Sequence, residues 1–294
     1  MGAVISVTNQ KGGVGKTMTV ACLASILSSQ NYKVLSIDLD PQRNLDTMAG
    51  EGVAIPRDDE ETLSLLHVMN GQCTLRDAIV HTVIGDVVRA SSFLSQWRGN
   101  TLVSTKEYEQ LDTDSLVALI KKRYEDNYGH TNASVLSEKL ADLRNEYDYI
   151  FLDTNPSLMV LTVNALYASD YVLIPVVTDG ASRDAVEELW TTIQTIRQHN
   201  TERQLKVAGI LVTRFQANTY VGKNFLPVFD SMARQMDSIL FHQKIRNCTV
   251  ALECLAAEQD LINYNRRCIA AIDYLDFAEE FKARINELEG YHVQ

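Results

Sequence analysis

Linkers are missing from this chain. Its 294 residues contain 5 prolines and 14 glycines, and nowhere do proline, glycine and serine gather into a stretch that would separate two domains. A single domain over residues 1–294 is therefore expected. No run of about 18 apolar residues occurs, which excludes a membrane-spanning helix. No leader pattern opens the chain: Ala3 to Thr8 reads at once as a buried strand, so no signal peptide is expected and the protein is read as cytoplasmic. Cys22, Cys73, Cys248, Cys254 and Cys268 are odd in number and show no CxxC spacing, which favours reduced thiols over a disulfide framework or metal cluster. Basic excess is absent too. The formal net charge is -11, which argues against a uniformly basic nucleic-acid binder. The acid sits in the middle: residues 51–200 carry 12 Lys/Arg against 23 Asp/Glu, whereas residues 201–294 carry 11 against 12. The last third can still present a local basic face.

What is present is a phosphate-binding loop, Gln10-Lys11-Gly12-Gly13-Val14-Gly15-Lys16-Thr17, between the expected strand and a helix over Met18–Ser29. A glycine-rich turn at this place can wrap backbone N–H groups around a phosphate chain. Lys16 would neutralise the β/γ charge, and Thr17 would offer its hydroxyl to Mg²⁺. The strict pattern has glycine where this sequence has Gln10, and Lys11 is the variation that matters.

Two further segments carry chemistry. Lys33 to Asp38 reads as a second buried strand, followed by Asp38-Leu39-Asp40-Pro41-Gln42-Arg43-Asn44. Pro41 biases Asp40 toward an extended conformation, and a carboxylate held rigidly beside a γ-phosphate could orient and polarise an attacking water. Taken alone, the segment would be an ordinary Asp-Pro turn. Tyr149 to Asp153 is a strand ending in a carboxylate, of the kind that reaches Mg²⁺ directly or through water.

The remaining pattern alternates strands and helices. Helices are expected over Thr62–Met69, Leu75–His81, Val135–Tyr147, Val160–Ala168, Ser182–His199, Gly222–Met236 and Cys268–Glu289. Strands are expected over Asp86–Ala90, Tyr171–Val177 and Val207–Val212. Residues 97–134 are polar and mixed, with a possible helix over Thr113–Tyr124. Repeated strand–helix–strand units imply an α/β fold with a doubly wound, mostly parallel sheet and helices on both faces. The phosphate loop, Asp38 and Asp153 then fall together at the carboxyl ends of strands, where such sheets bind ligands.

These three segments together resemble the ParA/MinD family of deviant Walker A ATPases. Lys11 to Thr17 matches the family's KGGxGKT loop, and Asp38 to Asn44 matches the DxDPQxN segment of the ParA branch. Tyr149 to Ser157 is similar to its D[YV]xxxD-x-x-PS segment, with Thr154-Asn155 a departure. The likeness runs on through Pro175-Val176-Val177 and Ile210 to Arg214. It covers most of the chain apart from residues 97–134, which read as a family-variable insertion. The resemblance implies the P-loop NTPase fold, ATP and Mg²⁺ as cofactors, and slow ATP hydrolysis until a partner stimulates it. It implies that Gly12, Gly13, Val14, Gly15, Lys16, Thr17 and Met18 wrap the nucleotide, with Thr213, Arg214, Ile245 and Arg246 near the adenine. Lys244-Ile245-Arg246-Asn247 lacks the proline common at that place. Thr17, Asp38 and Asp153 would surround Mg²⁺, and Asp40 would position the water. Subunits would dimerise face to face on ATP, with Lys11 crossing to the partner's nucleotide as an arginine finger does elsewhere.

Among family branches, the short, Soj-like ParA type fits, because the phosphate loop begins too early for a preceding helix-turn-helix. It implies nonspecific DNA binding by the dimer, a ParB-like DNA-binding partner, DNA segregation (of a plasmid, a chromosome or an integrative element) and nucleoid association. Lys223, Arg234, Lys244, Arg266 and Arg267 are the candidate DNA contacts, with Arg246 beside them. Arg266-Arg267 is expected at a helix start, where basic charge opposes the dipole unless a phosphate is bound. The C-terminal helix carries Asp276, Glu279, Glu280, Glu287 and Glu289, which anionic lipid would repel, and Leu275, Phe281, Ile285 and Leu288 are expected to pack on the domain. Cluster-binding relatives need cysteines between Cys73 and Cys248, where there are none. A ligase would not explain the Asp-Pro-Gln segment, and Tyr291 alone is no kinase tyrosine cluster. The remaining rival is a MinD/MipZ-like protein-positioning ATPase that does not bind DNA.

Overall fold

The computed structural model describes residues 2–50, 62–97, 115, 133–156, 160–200, 203–217 and 219–290. Along the chain these form β1 (Ala3–Val7), α1 (Lys16–Ser29), β2 (Val34–Asp38), α2 (Asn44–Met48), α3 (Leu65–Met69), β3 (Ile79–Thr82) and β4 (Gly85–Val88). Then come α4 (Val135–Leu140), β5 (Tyr149–Asp153), α5 (Val160–Ala168), β6 (Tyr171–Val176), α6 (Gly180–His199), β7 (Lys206–Val212) and α7 (Tyr220–Gln235). The last helices are α8 (Val250–Ala256), α9 (Leu261–Asn265) and α10 (Ile269–Glu289).

The strands make one sheet in the order β3-β4-β2-β5-β1-β6-β7, parallel except for the β3–β4 pair at one edge. β1, β2, β5 and β6 are buried along their whole length, which is why they read as unbroken apolar runs. Their side chains alternate between two cores. In β5, Ile150 and Leu152 join the layer of α3 to α7, while Tyr149 and Phe151 join the layer of α1, α2 and α8 to α10. Helix α10 lays Tyr274, Phe277, Ala278, Phe281 and Ile285 against that second face. Each large side chain so buried contributes about 2–3 kcal/mol. Leu275 and Leu288 pack at its margin, so the apolar stripe of this helix is spent on the domain. No helix among the described residues is long and apolar enough to cross a membrane.

One expected helix is a strand. Only Arg76–Ala78 of Leu75–His81 makes a short 3₁₀ turn, and Ile79–Thr82 pairs antiparallel with Gly85–Val88. Val83 and Ile84 form the two-residue connection. Gly85 follows at φ 100°, where an added Cβ would stand 2.6 Å from the Ser28 hydroxyl. The β-branched pair Ile79-Val80 outweighs the helical character of Arg76-Asp77-Ala78. The helix expected over Val135–Tyr147 stops at Leu140, the one over Thr62–Met69 begins at Leu65, and α2, α8 and α9 had no counterpart in the sequence reading. Of the expected helix Thr113–Tyr124 only Ser115 is described, as helical.

From β1 the chain winds out to β2 on one side, and β6 lies on the other. The loops after β1, β2, β5, β6 and β7 therefore share one end of the sheet, around a topological switch point.

Candidate functional site

The turn after β1 is built to receive an anion. Gly13 and Gly15 adopt φ of 74° and 83°, which glycine reaches without steric cost. A Cβ on Gly12 or Gly13 would meet nothing within 4 Å, so the outer face of the loop is open. Gly15 caps α1 with no side-chain hydrogen bond, and no acidic residue occupies the first turn. The positive helix end and its unshared N–H groups thus face the hollow lined by Gly12, Gly13, Gly15, Lys16, Thr17 and Met18. Val14 is buried beneath.

Three anchors hold this loop. Buried Asn9 donates from Nδ2 to the Pro175 carbonyl at 2.7 Å and accepts the Lys11 N–H at 2.8 Å. The Thr213 hydroxyl lies 2.8 Å from the Val14 carbonyl and 3.1 Å from that of Val176, sharing one proton between them. Lys16 Nζ donates to the Asn9 carbonyl at 3.0 Å and the Lys11 carbonyl at 3.1 Å. Burial lowers the pKa of Lys16, while Asp153 and Asp40 support its charge.

The carboxylates divide their work. Asp38 accepts the Asp40 N–H at 2.8 Å and the Leu45 N–H at 3.3 Å, so it braces the loop between β2 and α2. Burial raises its pKa, and Asp153, its partner in the β2–β5 register, raises it further. Asp153 is fully buried, and among the described residues neither of its carboxylate oxygens has a hydrogen-bond partner. Burial pushes its carboxyl up to about 7, against the pull of the nearby Thr17 hydroxyl, which falls short of hydrogen-bond geometry, and of Lys16. An orphaned carboxylate behind a threonine hydroxyl fits a divalent cation bound at Thr17, reached through water. Asp40 is half-exposed and lines the cavity, and its carboxylate accepts the Gln42 N–H at 3.0 Å.

Lys11 lies beside the cavity. Its ammonium pairs with the Asp179 carboxylate and lies 3.4 Å from the Ser182 hydroxyl. Asp179 is also the N-cap of α6, accepting the Ser182 N–H at 2.8 Å. Partial burial would raise the Asp179 carboxyl, but Lys11 and Ser182 outweigh it and hold it below its ordinary value. The pair borders a second, polar hollow of about 250 Å³ that shares Gly12, Gly13, Arg214 and Asn247 with the first.

The main cavity has a volume of about 560 Å³, within the range of small-molecule sites. Away from the phosphate loop its wall is formed by Ile245 to Thr249, Leu252, Leu255, Leu261 and Tyr274. Arg214, in a left-handed conformation, reaches back to the Gly13 carbonyl at 3.4 Å. The Arg246 guanidinium is paired with Asp273 of α10. Its Nε lies 2.9 Å from Asp273, which also accepts the Arg246 backbone N–H at 2.8 Å. Asp273, buried in α10, thereby fixes the loop that lines the cavity.

The structure scatters the basic candidates. Arg234 is exposed and paired with Asp230 at 2.8 Å. Lys244 is half-buried and rests on the His242 carbonyl. Arg266 and Arg267 are exposed, but they precede the helix: Cys268 caps α10, and Arg266 closes α9. The dipole conflict expected for them is accordingly absent. Lys223 lies on α7. Asn9, Asp179 and Asp273 escaped the sequence reading. Asp179 alone left a signal, an Asp three residues before Ser182 at the start of a helical pattern.

A doubly wound parallel sheet with a phosphate loop after its first strand, and carboxylates closing two neighbouring strands, is a P-loop nucleotide-binding architecture. A protein-family model described as an AAA domain matches residues 2–207. Sporulation initiation inhibitor protein Soj of Bacillus subtilis is 29% identical over 96% of this chain and 99% of its own. Chromosome partitioning protein ParA of Myxococcus xanthus is 29% identical over 97% of this chain and 89% of its own. Cobyrinic acid a,c-diamide synthase from Mycobacterium smegmatis, solved with ADP and magnesium, shares the fold, with a TM-score of 0.71 at 24% identity over 99% of this chain and 97% of that one. The chain belongs to this AAA-domain family and, within it, to the ParA/MinD family of deviant Walker A ATPases.

Proposed function

We propose that this protein is a partition ATPase that binds ATP with Mg²⁺, dimerises, binds DNA nonspecifically as the dimer, and hydrolyses ATP to drive DNA segregation. The whole chain, 1–294, serves as one ATPase domain with 97–134 as a variable insertion. The observation that carries the reading is the convergence of Lys11, Lys16 and Asp40 on one loop system, with orphaned Asp153 behind Thr17. The N–H groups of Gly12 to Met18 and the Lys16 ammonium hold the β- and γ-phosphates. Thr17, supported by Asp153 and Asp38, holds the metal, which supplies charge neutralisation on the phosphate oxygens. Asp40, with its carboxylate in the cavity, orients water toward the γ-phosphate. Ile245 and the Arg246 backbone, with Thr213 and Arg214 beside them, border the base. Lys11 leaves Asp179 and crosses to the partner's nucleotide.

Resemblance to Soj and ParA supports the DNA half of this reading, together with a ParB-like partner that stimulates hydrolysis and a cytoplasmic, nucleoid-associated location. The test is a gel shift with ATP, Mg²⁺ and duplex DNA of arbitrary sequence. A shift at about 50 mM salt that weakens at least tenfold by about 200 mM is expected. No shift at low salt would refute DNA binding and favour a protein-positioning ATPase with the same engine. Arg266 and Arg267, exposed and with no ion pair among the described residues, are the first pair to replace.

Lys11→Ala should bind ATP at close to the normal affinity yet remain monomeric. Size-exclusion chromatography with ATP reads this directly, and a normal ATP dimer from the variant would remove Lys11 from the proposed role.

A further inference from the structure

Two carboxylates of α10 hold the segment that leads into the far wall of the main cavity. Residues 239–247 run beside β7 and the turn after it. The Phe241 and Ile245 N–H groups donate to the Ile210 and Val212 carbonyls at 3.0 and 2.9 Å, and the Asn247 N–H donates to the Phe215 carbonyl at 3.0 Å. The N–H groups of His242, Gln243 and Arg246 go to α10 instead. Glu280 receives those of His242 and Gln243 at 2.6 and 2.8 Å, and Asp273 receives that of Arg246 at 2.8 Å. The two acids stand seven residues apart, about two turns along one stripe of the helix. Between them Phe277 meets the Phe241 ring edge-on at 5.0 Å. The two holds differ in what they reach. Glu280 takes residues that precede the Ile245–Thr249 wall, whereas Asp273 takes Arg246 within it. Asp273 is 1% exposed, and its two oxygens receive four donors: the Arg246 backbone N–H, its Nε and Nη2, and Gln243 Nε2. A buried carboxylate is tolerated when it is compensated this fully. The next residue, Tyr274, points about 100° further round the helix. It lines the cavity, and its hydroxyl lies 3.0 Å from that of Thr19 in the first turn of α1, the helix that opens with Lys16 and Thr17. Adjacent residues of α10 thus join the far wall to the helix that carries the phosphate loop.

We propose that Asp273 is a positioning residue that sets the span of the cavity, holding the 245–249 wall at the distance from the phosphate loop that a nucleoside triphosphate bridges. The role rests on the cavity being the ATP site. A ligand that touches only the phosphate loop needs no such span, and one that reaches both ends does. Without the carboxylate, the Arg246 N–H and guanidinium lose their shared acceptor. The wall then keeps its binding arrangement for only a fraction of the time, and apparent affinity falls by that fraction. The groups proposed for the chemistry have separate supports. Lys16 rests on the Asn9 and Lys11 carbonyls, and Asp40 on the loop that Asp38 braces. Turnover of bound ATP should therefore survive the change.

The experiment measures binding of ATP and of inorganic triphosphate by calorimetry with Mg²⁺, and steady-state hydrolysis, for the wild-type protein, Asp273→Ala, Asp273→Asn and Glu280→Gln. Asp273→Ala should weaken ATP binding and raise KM by about tenfold, with kcat and triphosphate affinity within about twofold of wild type. Asp273→Asn keeps an acceptor for the Arg246 N–H and should fall between the two, and it carries the test if the alanine variant does not fold. Glu280→Gln disturbs the same segment ahead of the wall. It should lower thermal stability and leave ATP affinity within about twofold of wild type. Unchanged ATP affinity in the Asp273 variants overturns the role. Equal losses of ATP and triphosphate affinity overturn it as well, because they show a general loosening, and so does a loss as large in Glu280→Gln. Failure of the wild-type protein to bind ATP refutes the proposed function and this role with it, an outcome read before any variant is compared.

Discussion

Replacing Lys16 with alanine is expected to lower ATP affinity and hydrolysis by about 100-fold or more, the scale on which one preorganised charge at a developing anion acts. Two features of the site make the effect large. Nζ is already held at the loop by two carbonyls, so no reorganisation is needed when phosphate arrives. The same ammonium also opposes the rise of the Asp153 pKa. Its loss shifts Asp153 further toward the neutral form, and a protonated carboxyl is a poor partner for a divalent cation. Phosphate and metal binding should therefore fail together. Mant-ATP titration with and without Mg²⁺ measures both, and circular dichroism confirms the fold. An affinity within about threefold of wild type would contradict the assignment, since that is a small fraction of the value of a buried charge-assisted hydrogen bond.

Asp40→Ala should behave differently, keeping ATP while losing about 10²–10⁴-fold in turnover, the usual contribution of a positioned acid–base group. Asp38, not Asp40, holds the β2–α2 loop, through the Asp40 and Leu45 N–H groups, so the loop keeps its shape without the Asp40 side chain. What is lost locally is one hydrogen bond to the Gln42 N–H, about 1 kcal/mol. Asp40→Asn retains an acceptor for that N–H but lacks the charge, and it should be equally inactive. Both variants should accumulate as ATP dimers, visible by light scattering. Wild-type hydrolysis by either would show that water is oriented by another group.

The phosphate loop, Asp38 and Asp153 were legible because their geometry is local: a glycine turn between strand and helix, and carboxylates at strand ends. The buried strands were legible because a sheet covered on both faces leaves unbroken apolar runs. β3 was not, because four residues at a sheet edge take their conformation from the partner strand and from the Gly85 turn. Asn9, Asp179 and Asp273 were hidden for a related reason. Asn9 acts on Pro175, 166 residues away, Asp179 on Lys11 across 168, and Asp273 on Arg246 across 27. Arg246 shows the converse. Its loop lines the cavity, but its side chain is committed to a carboxylate that no spacing rule predicts.

The ion pair between Lys11 and Asp179 has a consequence for how a lone subunit meets its surroundings. On the proposed reading, a second subunit's phosphates must outcompete a carboxylate that is tethered within the same chain and so is present at high effective concentration. Asp179 thus imitates the absent ligand. On the same reading it competes with stray anions for the Lys11 ammonium, and it raises the subunit concentration at which pairing becomes appreciable. When Lys11 departs, Asp179 still caps α6 through the Ser182 N–H, so the imitation can be dropped and resumed without unravelling the helix that carries it.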